Sequence, residues 1–502
     1  MVNRAANVAV GALAAALLAA CAVGPDHVRP HIAVPAQFGP AAGPTPAPAG
    51  TAVAFDDAFL QGLGDPLLSE LVEEALHANH DLRIALTRVD RANALLRGAR
   101  LDALPTVTAQ GEAADVRASA DQAPGVPRGA RDGEQWSAGA AASWELDLFG
   151  RVRRGIEAGR AQAEASVADL RALQVAIAGE VARTYVELRG TQERLRVARA
   201  NRDNQQRTLE LVDARLEAGV GTDFDTARAR AQLETTASRI PALEAQEQVA
   251  MHRLAVLSGR DPTALVALLS PPAPLPSLPP RIDPGTPGRL LRDRPDIAAA
   301  EARLHAATAR IGVATADLFP RFTLGGLIGS QAVDAGALFE RDSETRIVAL
   351  GIDWSFLDVG RVRARIAAAN ADAEGELARW QQTVLLALED AEDALVRHSR
   401  ARVEDAHLER AASDAATAAQ LARARFEAGA SGLLEVLDAE RVQLQAQDAF
   451  ADGRTRSVAS AVALYKALAG GWPQRLPERE RIAGRRHLPA AQADTPRVAS
   501  RP

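Results

Sequence analysis

The sequence predicts a membrane protein of mixed α and β structure that contains an internal two-fold repeat. Three observations lead to this prediction. The stretches DARLEAGVG (213–221) and RARFEAGAS (423–431) lie 210 residues apart, and WELDLFGRVR (144–153) and WSFLDVGRVR (354–363) share that offset. Apolar residues at steps of three and four follow each copy of the second pair and predict long helices. Segments in which apolar residues alternate with mostly polar ones precede those helices and predict strands.

Composition supports a folded, helix-rich chain. The 502 residues are 47% hydrophobic and 24% charged, which is the balance of a folded protein. Alanine is abundant while Phe, Trp and Tyr reach only 4%, and small side chains favour close helix packing. A formal net charge of −6 provides no basic surface able to release phosphate counterions, so nucleic acid is not an expected partner.

The N-terminus has the features of a bacterial export signal. One early arginine and a short apolar stretch end at Cys21, and that stretch is too short to span a bilayer. Cys21 is the only cysteine, so no internal disulfide can form. The sequence LAAC resembles a lipobox, whose cysteine becomes the lipidated first residue of the mature chain, and Ala22 after it resembles lipoproteins sent to the outer membrane. A chance cysteine after an ordinary signal is the alternative.

Two helical hairpins are predicted, one in each repeat. No proline lies between Arg151 and Gly219 or between Arg361 and Gly429, so each segment is predicted to be one helix of roughly 100 Å at about 1.5 Å per residue. Second helices are expected over 222–258 and 432–470, because apolar residues recur every seven positions in the latter. The glycines suit helix C-caps, Arg215 and Arg425 suit the negative end of a helix dipole, and N-capping is expected of Asp223 or Asp225.

Four strands are predicted, in two hairpins that each precede a long helix. They cover 106–113, 136–148, 322–328 and 346–356, joined within the hairpins by polar or Gly-rich loops at 114–133 and 331–343. Four strands cannot close a membrane barrel, because the smallest single-chain barrels have about eight. An open set would expose its edges to lipid, so several chains must combine their strands. A dimer with eight strands satisfies this arithmetic as well as a larger assembly does.

Taken together, several motifs resemble those of the TolC-like outer membrane efflux proteins, in their lipoprotein branch that serves RND-type systems. These are the lipobox, CAVGPDHVRP (21–30), RPDI (294–297), the paired GRVR, the paired Arg-x-x-x-Gly and LYKALAGGW (464–472). The resemblance implies a homotrimer whose twelve-stranded outer-membrane barrel, four strands per chain, continues as a long periplasmic α-helical barrel of coiled-coil hairpins.

The resemblance also divides the chain into expected segments. They are a signal peptide (1–20), a lipidated extended segment (21–63), a first repeat (64–269), a Pro-rich equatorial linker (270–288), a second repeat (289–470) and a partly disordered tail (471–502).

The same resemblance assigns roles at the two hairpin tips. Arg215, Gly219, Arg425 and Gly429 would lie at the periplasmic mouth, where the family's motif docks a membrane fusion adaptor; helix capping alone is the alternative. The segment LLEVLDAER resembles the stretch that narrows the closed mouth. It implies Leu434 as an apolar ring, Asp438 as an acidic ring and Arg441 as its ion-pair partner in a periplasmic gate. Because Asp438 and Arg441 are three apart on one helix, an ordinary surface pair is the alternative.

The function implied is a passive exit duct in the outer membrane of a Gram-negative bacterium. The duct would be opened by an adaptor and an inner-membrane RND-type pump for drugs or other small molecules. A protein-secretion duct of the same fold and a structural coiled-coil lipoprotein are alternatives, although a spacer needs no lipid-facing strands. We expect no enzymatic activity, because no nucleophile elbow, P-loop or dinucleotide fingerprint occurs. No cofactor beyond lipid on Cys21 and no metal is expected, since His77 and His80 lack a third ligand.

Overall fold

The computed structural model describes residues 22–39, 63–278 and 285–468. Several predictions fall outside these residues: the signal peptide (1–20), the lipidation site Cys21 and the tail (471–502). Part of the extended segment and residues 279–284 of the Pro-rich linker also lie outside them.

Each repeat contains a short helical part, two strands, one very long helix and a returning helix. In the first repeat these are α1 (Pro66–Ala78), α2 (His80–Leu101), β1 (Thr106–Arg117), β2 (Asp132–Leu146), α3 (Arg151–Glu217), α4 (Asp223–Ala237), α5 (Arg239–Leu257) and the single turn α6 (Val266–Leu269). In the second they are α7 (Pro287–Asp293), α8 (Pro295–Ala316), β3 (Arg321–Ala332), β4 (Glu344–Asp353), α9 (Val359–Glu427) and α10 (Leu433–Ala467). The long helices α3 and α9 contain 67 and 69 residues.

The four strands form one antiparallel sheet in the order β1-β2-β3-β4. The prediction of two hairpins is confirmed within each repeat, and the β2–β3 pairing joins them across the repeats. The register repeats as well: Thr106 pairs with Ser143 in the first hairpin, and Arg321 pairs with Asp353 in the second. Within one chain, β1 and β4 therefore each have one edge without a strand partner among the described residues.

The returning helix of the first repeat is broken, which corrects the single helix predicted over 222–258. It is divided into α4 and α5 at Ser238. Pro241 accounts for the break, because proline donates no backbone hydrogen bond and its ring clashes with the carbonyl four residues earlier, that of Ala237. The second repeat has no proline there, and α10 continues unbroken for 35 residues.

The hairpins pack closely through small residues. A β-carbon added at Gly190 of α3 would lie 2.1 Å from Thr455 Oγ1 of α10, so these helices touch at a position that only glycine fits. A core around Tyr185 joins α1, α3, α5 and α10, and the Tyr185 hydroxyl donates to Asp65 at 2.6 Å. These contacts hold the first and second repeats together as one packed rod.

The N-terminal segment 22–39 runs as an extended strap along the helices. Its first described residues lie at the junction of the sheet with α3, where Val23 N donates to Phe149 O and a β-carbon at Gly150 would meet Ala22 Cα at 2.6 Å. The buried Arg154 side chain then binds Asp26 at 2.6 Å and also donates to Val23 O. The strap is therefore a specific part of the fold.

Farther along, the strap contacts α8 and α9. The His27 ring stacks on His305 with centroids 4.5 Å apart, and Arg29 binds Glu301 at 3.0 Å. Burial, and next the neighbouring His305, lower the pKa of His27, so this ring is neutral at pH 7. Near the strap's end, Gly39 N donates to Glu392 Oε1 at 2.9 Å.

Candidate functional site: the hairpin tips

The two tips have the same backbone turn. Gly219 follows α3 with φ +73°, its N–H donates to Leu216 O at 2.9 Å, and Val220 N donates to Arg215 O at 2.9 Å. This pair of bonds is a Schellman cap, which needs a residue in the left-handed conformation. At the second tip Gly429 has φ +71°. There, Gly429 N donates to Phe426 O at 2.9 Å and Ala430 N donates to Arg425 O at 2.8 Å.

The returning helices begin differently after these turns. Thr222 is the N-cap of α4 and accepts from Asp225 N, while its hydroxyl donates to the Asp225 carboxylate at 2.7 Å. The expectation that Asp223 or Asp225 serves as N-cap is therefore wrong, because the threonine one residue earlier takes that place. The N-cap residue of α10 is Gly432, which makes no side-chain capping bond.

The paired arginines occupy different environments. The Arg215 guanidinium lies 4.7 Å from the centroid of the Phe426 ring, in a cation–π contact that links the first tip to the second. Arg425 is exposed, and the described residues offer its side chain no ion pair or ring contact. The difference follows from the sequence, since the position equivalent to Phe426 in the first repeat is Leu216.

Behind the turns, the two hairpins share an apolar cluster. Its members come from four helices and are almost fully buried: Leu209, Val212, Ala229, Leu233, Phe426, Leu433, Val436 and Leu437. Burial of each large aliphatic side chain is worth roughly 1.5–3 kcal/mol. The tips are thus packed against each other within one chain.

The structure brings the three predicted gate residues together on one face of α10. Leu434 is 57% exposed although it is a large apolar residue, and Arg441 Nη2 lies 2.5 Å from Asp438 Oδ1. Both charged side chains are more than half exposed. Such a pair within one helix contributes a few tenths of a kcal/mol and cannot by itself join two hairpins.

A buried polar contact that the sequence analysis missed does join the hairpins near this point. Glu440, only 3% exposed, forms an ion pair with Arg423 of α9 and accepts from Thr208 Oγ1 of α3 at 2.8 Å. A signal was present in the sequence: Leu433, Leu437, Glu440 and Leu444 follow the alternating four-and-three spacing of a coiled-coil seam. A carboxylate at such a seam position predicts a buried partner.

The described residues contain no group of three or more His, Cys, Asp or Glu side chains arranged to hold a metal ion. Within residues 22–39, 63–278 and 285–468, no helix contains an apolar stretch that is long and hydrophobic enough to span a bilayer.

Comparison with known proteins identifies the class of this fold. The family model described as outer membrane efflux protein matches residues 71–260 and 286–470. The chain is 33% identical over 474 residues to outer membrane protein OprJ of Pseudomonas aeruginosa, covering 93% of this chain and 96% of that protein. It is 34% identical over 429 residues to the pyoverdine export outer membrane protein OpmQ of Pseudomonas putida, covering 84% and 90%.

A solved structure of the outer-membrane channel OprN superposes on the chain with a TM-score of 0.83 at 40% identity, over 90% of this chain and all of that one. The chain belongs to the outer membrane efflux protein family, as the motifs predicted. It is an outer membrane channel component of an efflux system in a Gram-negative bacterium.

Proposed function

We propose that three copies of this chain assemble into one duct that carries small molecules out of the cell. Each copy supplies a sheet of four strands, and its β1 and β4 edges expose backbone groups that lipid cannot satisfy. Three sheets joined edge to edge give a twelve-stranded barrel, and the hairpins below it give a helical tube. A dimer would close with eight strands and is the alternative that a measurement of the oligomer distinguishes.

The observation that carries this proposal is the equivalence of the two hairpins. The long helices differ by only two residues in length, and both end in the same Schellman turn. Six such tips from three chains would therefore reach the same level. A ring of equivalent tips suits docking of a periplasmic adaptor that connects the duct to an inner-membrane RND-type pump. Relatives named for antibiotic efflux, solvent efflux and pyoverdine export support small molecules as the cargo. The chain itself performs no catalysis in this proposal.

Arg425 offers a test of adaptor docking, because it is the exposed arginine of the paired motif. In cells that lack the wild-type chain, Arg425→Ala should reduce efflux of ethidium severalfold, since a docking contact is lost. Conductance of the purified variant in a planar bilayer should remain that of the wild type. Arg410→Ala, on an exposed face of the same helix, is the matched control and should export normally. Normal ethidium efflux by Arg425→Ala would remove this residue from the docking surface.

We also propose that Leu434, Asp438 and Arg441 form the periplasmic gate. Three symmetry-related copies of the exposed Leu434 would cover one another at the narrow end of the tube, which provides a reason for an exposed leucine at this position. The pair Asp438–Arg441 lies one turn farther from the tip on the same face.

Lipidation of Cys21 is proposed from the lipobox and from the path of the strap. Ala22 packs against Gly150 where the sheet meets α3, so an acyl chain on the preceding residue would begin beside the membrane-facing part of the fold. Mass spectrometry of the mature N-terminus should detect acyl groups on the wild-type chain and none on Cys21→Ala. An unmodified Cys21 in the wild-type chain would refute the proposal. Membrane attachment should survive the substitution, since the strands remain.

A further inference from the structure

Two motifs that the proposed duct leaves unexplained meet at one point of the fold. They are RPDI (294–297) and LYKALAGGW (464–472), and the latter is described as far as Leu468. Helix α10 ends at Ala467, helix α8 begins at Pro295, and Arg294 Nη1 donates to Ala467 O at 2.9 Å. The two helices therefore meet end to end, in a contact that we call the α8–α10 junction.

The first repeat contains an equivalent contact, the α2–α5 junction. The side-chain amide of Asn79 donates to Leu257 O, at the end of α5, at 2.9 Å. Asn79 is equivalent to Arg294 by the offset that relates β1 to β3, and Leu257 is equivalent to Ala467 by the offset that relates the long helices. In both repeats, the residue before the upper helix thus binds the last carbonyl of the returning helix.

The α2–α5 junction is tightly fixed. The Asn79 side chain is the N-cap of α2, and its oxygen accepts from Asp81 N at 2.9 Å and from Leu82 N at 3.2 Å. One short side chain therefore binds the ends of both helices, and Asn79 is only 4% exposed. A β-carbon added at Gly259 would lie 2.5 Å from Ala78 O, so the two helices leave little space between them.

The α8–α10 junction is looser. Arg294 makes no side-chain capping bond to α8, and its guanidinium instead binds Asp296 at 2.6 Å and Asp390 of α9 at 3.3 Å. A groove of about 370 Å³ lies beside it, lined by residues of α3, α8, α9 and α10. A long side chain next to an open space can keep its contacts while α10 tilts, whereas the short amide of Asn79 cannot.

Helix α10 can transmit such a tilt to its far end. It is unbroken over 35 residues, whereas the returning helix of the first repeat is divided at Ser238. Leu434 lies roughly 50 Å from Ala467 at about 1.5 Å per residue. A tilt of about 5° at the junction would therefore move Leu434 by roughly 4 Å. The long helix α9 can follow by gentle curvature, as helices of this length do.

We propose that the α8–α10 junction is the hinge of the periplasmic gate and that Arg294 is the positioning residue that sets the resting angle of α10. The α2–α5 junction stays fixed and supports the first hairpin as the static partner. This inference rests on the proposed function, because the tilt of α10 matters only if Leu434 and Asp438 close a duct.

The test compares Arg294→Ala with the wild type in a planar bilayer. The variant loses the bond that holds Ala467 O, so α10 should leave its resting angle more often and the open fraction should increase about tenfold. A tenfold change corresponds to about 1.4 kcal/mol, roughly one hydrogen bond to a charged group. The purified variant should keep the oligomeric mass of the wild type. Arg294→Lys should increase the open fraction less, because an ammonium still binds a carbonyl or a carboxylate.

Asn79→Ala is the matched control, since it removes the equivalent bond from the other repeat. It should lower the thermal unfolding temperature, because α2 loses its N-cap. The open fraction should remain that of the wild type, since α5 carries no gate residue and the break at Ser238 separates it from the tip. Equal increases in the open fraction of Asn79→Ala and Arg294→Ala would overturn the hinge, because general destabilisation would explain both.

Failure of the hinge can be distinguished from failure of the proposed function. If the wild-type protein forms no conducting pores, the duct is refuted and the hinge falls with it. If Asp438→Ala changes the open fraction but Arg294→Ala does not, the gate stands and the hinge is overturned. Should Arg294→Ala not assemble, Arg294→Lys takes its place, and a wild-type open fraction in that variant would overturn the hinge.

Discussion

Replacing Asp438 with alanine is expected to open the periplasmic mouth and raise conductance in a planar bilayer. In the groove between α4 and α10, the side chains of Arg228, Arg441 and Asp438 together carry one net positive charge per chain. The substitution leaves Arg441 unpaired and raises that charge to two. Since Coulomb repulsion scales with the product of the charges, the repulsion between each pair of chains increases about fourfold.

The expected increase in the open fraction of the channel can be estimated from this repulsion. Two unit charges about 10 Å apart in water repel by roughly 0.4 kcal/mol, so the increase is about 1.2 kcal/mol for each of three pairs before screening. At a Debye length of about 10 Å, screening reduces the total to on the order of 1–2 kcal/mol. This corresponds to roughly a tenfold larger open fraction.

A double substitution separates the effect of charge from that of side-chain bulk. Asp438→Ala combined with Arg441→Ala restores the net charge per chain and should return the conductance toward that of the wild type. If the double variant conducts even more than Asp438→Ala, loss of bulk is the cause.

Glu389→Ala serves as a control on the exposed face of α9, far from the tips. Glu392 is unsuitable because it binds the strap at Gly39. Wild-type conductance of Asp438→Ala would contradict its place in the gate.

The long helices could be predicted closely because their ends are local features of the sequence. No proline interrupts them, and Gly219 and Gly429 provide the left-handed residue that the C-terminal turn needs. The predicted and observed ends of α3 and α9 differ by about two residues. The strands could also be predicted, because the alternation of apolar and polar residues is a local pattern of the sequence.

Other features depended on contacts between distant parts of the chain. The path of the strap requires Gly24 to approach Gly312, with an added β-carbon only 2.5 Å from Gly312 Cα, and no local pattern at Gly24 indicates that neighbour. The buried Glu440 and the Arg215–Phe426 contact join helices that are far apart in sequence. By contrast, the break before α5 could have been found, since Pro241 is visible in the sequence.

The β1 and β4 edges allow a prediction of how neighbouring chains pair. The repeat relates β2 to β4 by the number of residues that separates Trp144 from Trp354. It relates β1 to β3 by the number of residues that separates Pro105 from Pro320. The same offsets map the first hairpin's register onto the second's, as Thr106–Ser143 and Arg321–Asp353 demonstrate. Applied to Ala140–Ile328 of the β2–β3 pair, they place Leu350 of one chain opposite Ala113 of the next.

Disulfide crosslinking between these positions tests the trimeric barrel most directly. A chain with both Ala113→Cys and Leu350→Cys should, on mild oxidation in membranes, give covalent dimers and trimers on a non-reducing gel, with trimer the largest species. Opposed strand positions have the β-carbon spacing that a disulfide requires.

Two controls define the background of that experiment. The wild-type chain reports any crosslinking through Cys21. The pair Ala114→Cys and Leu350→Cys should not crosslink, because a one-residue shift turns the side chain to the other face. Crosslinking that stops at trimer in the predicted register is the result this account predicts. Monomer alone, dimer alone or a ladder extending past trimer would contradict it.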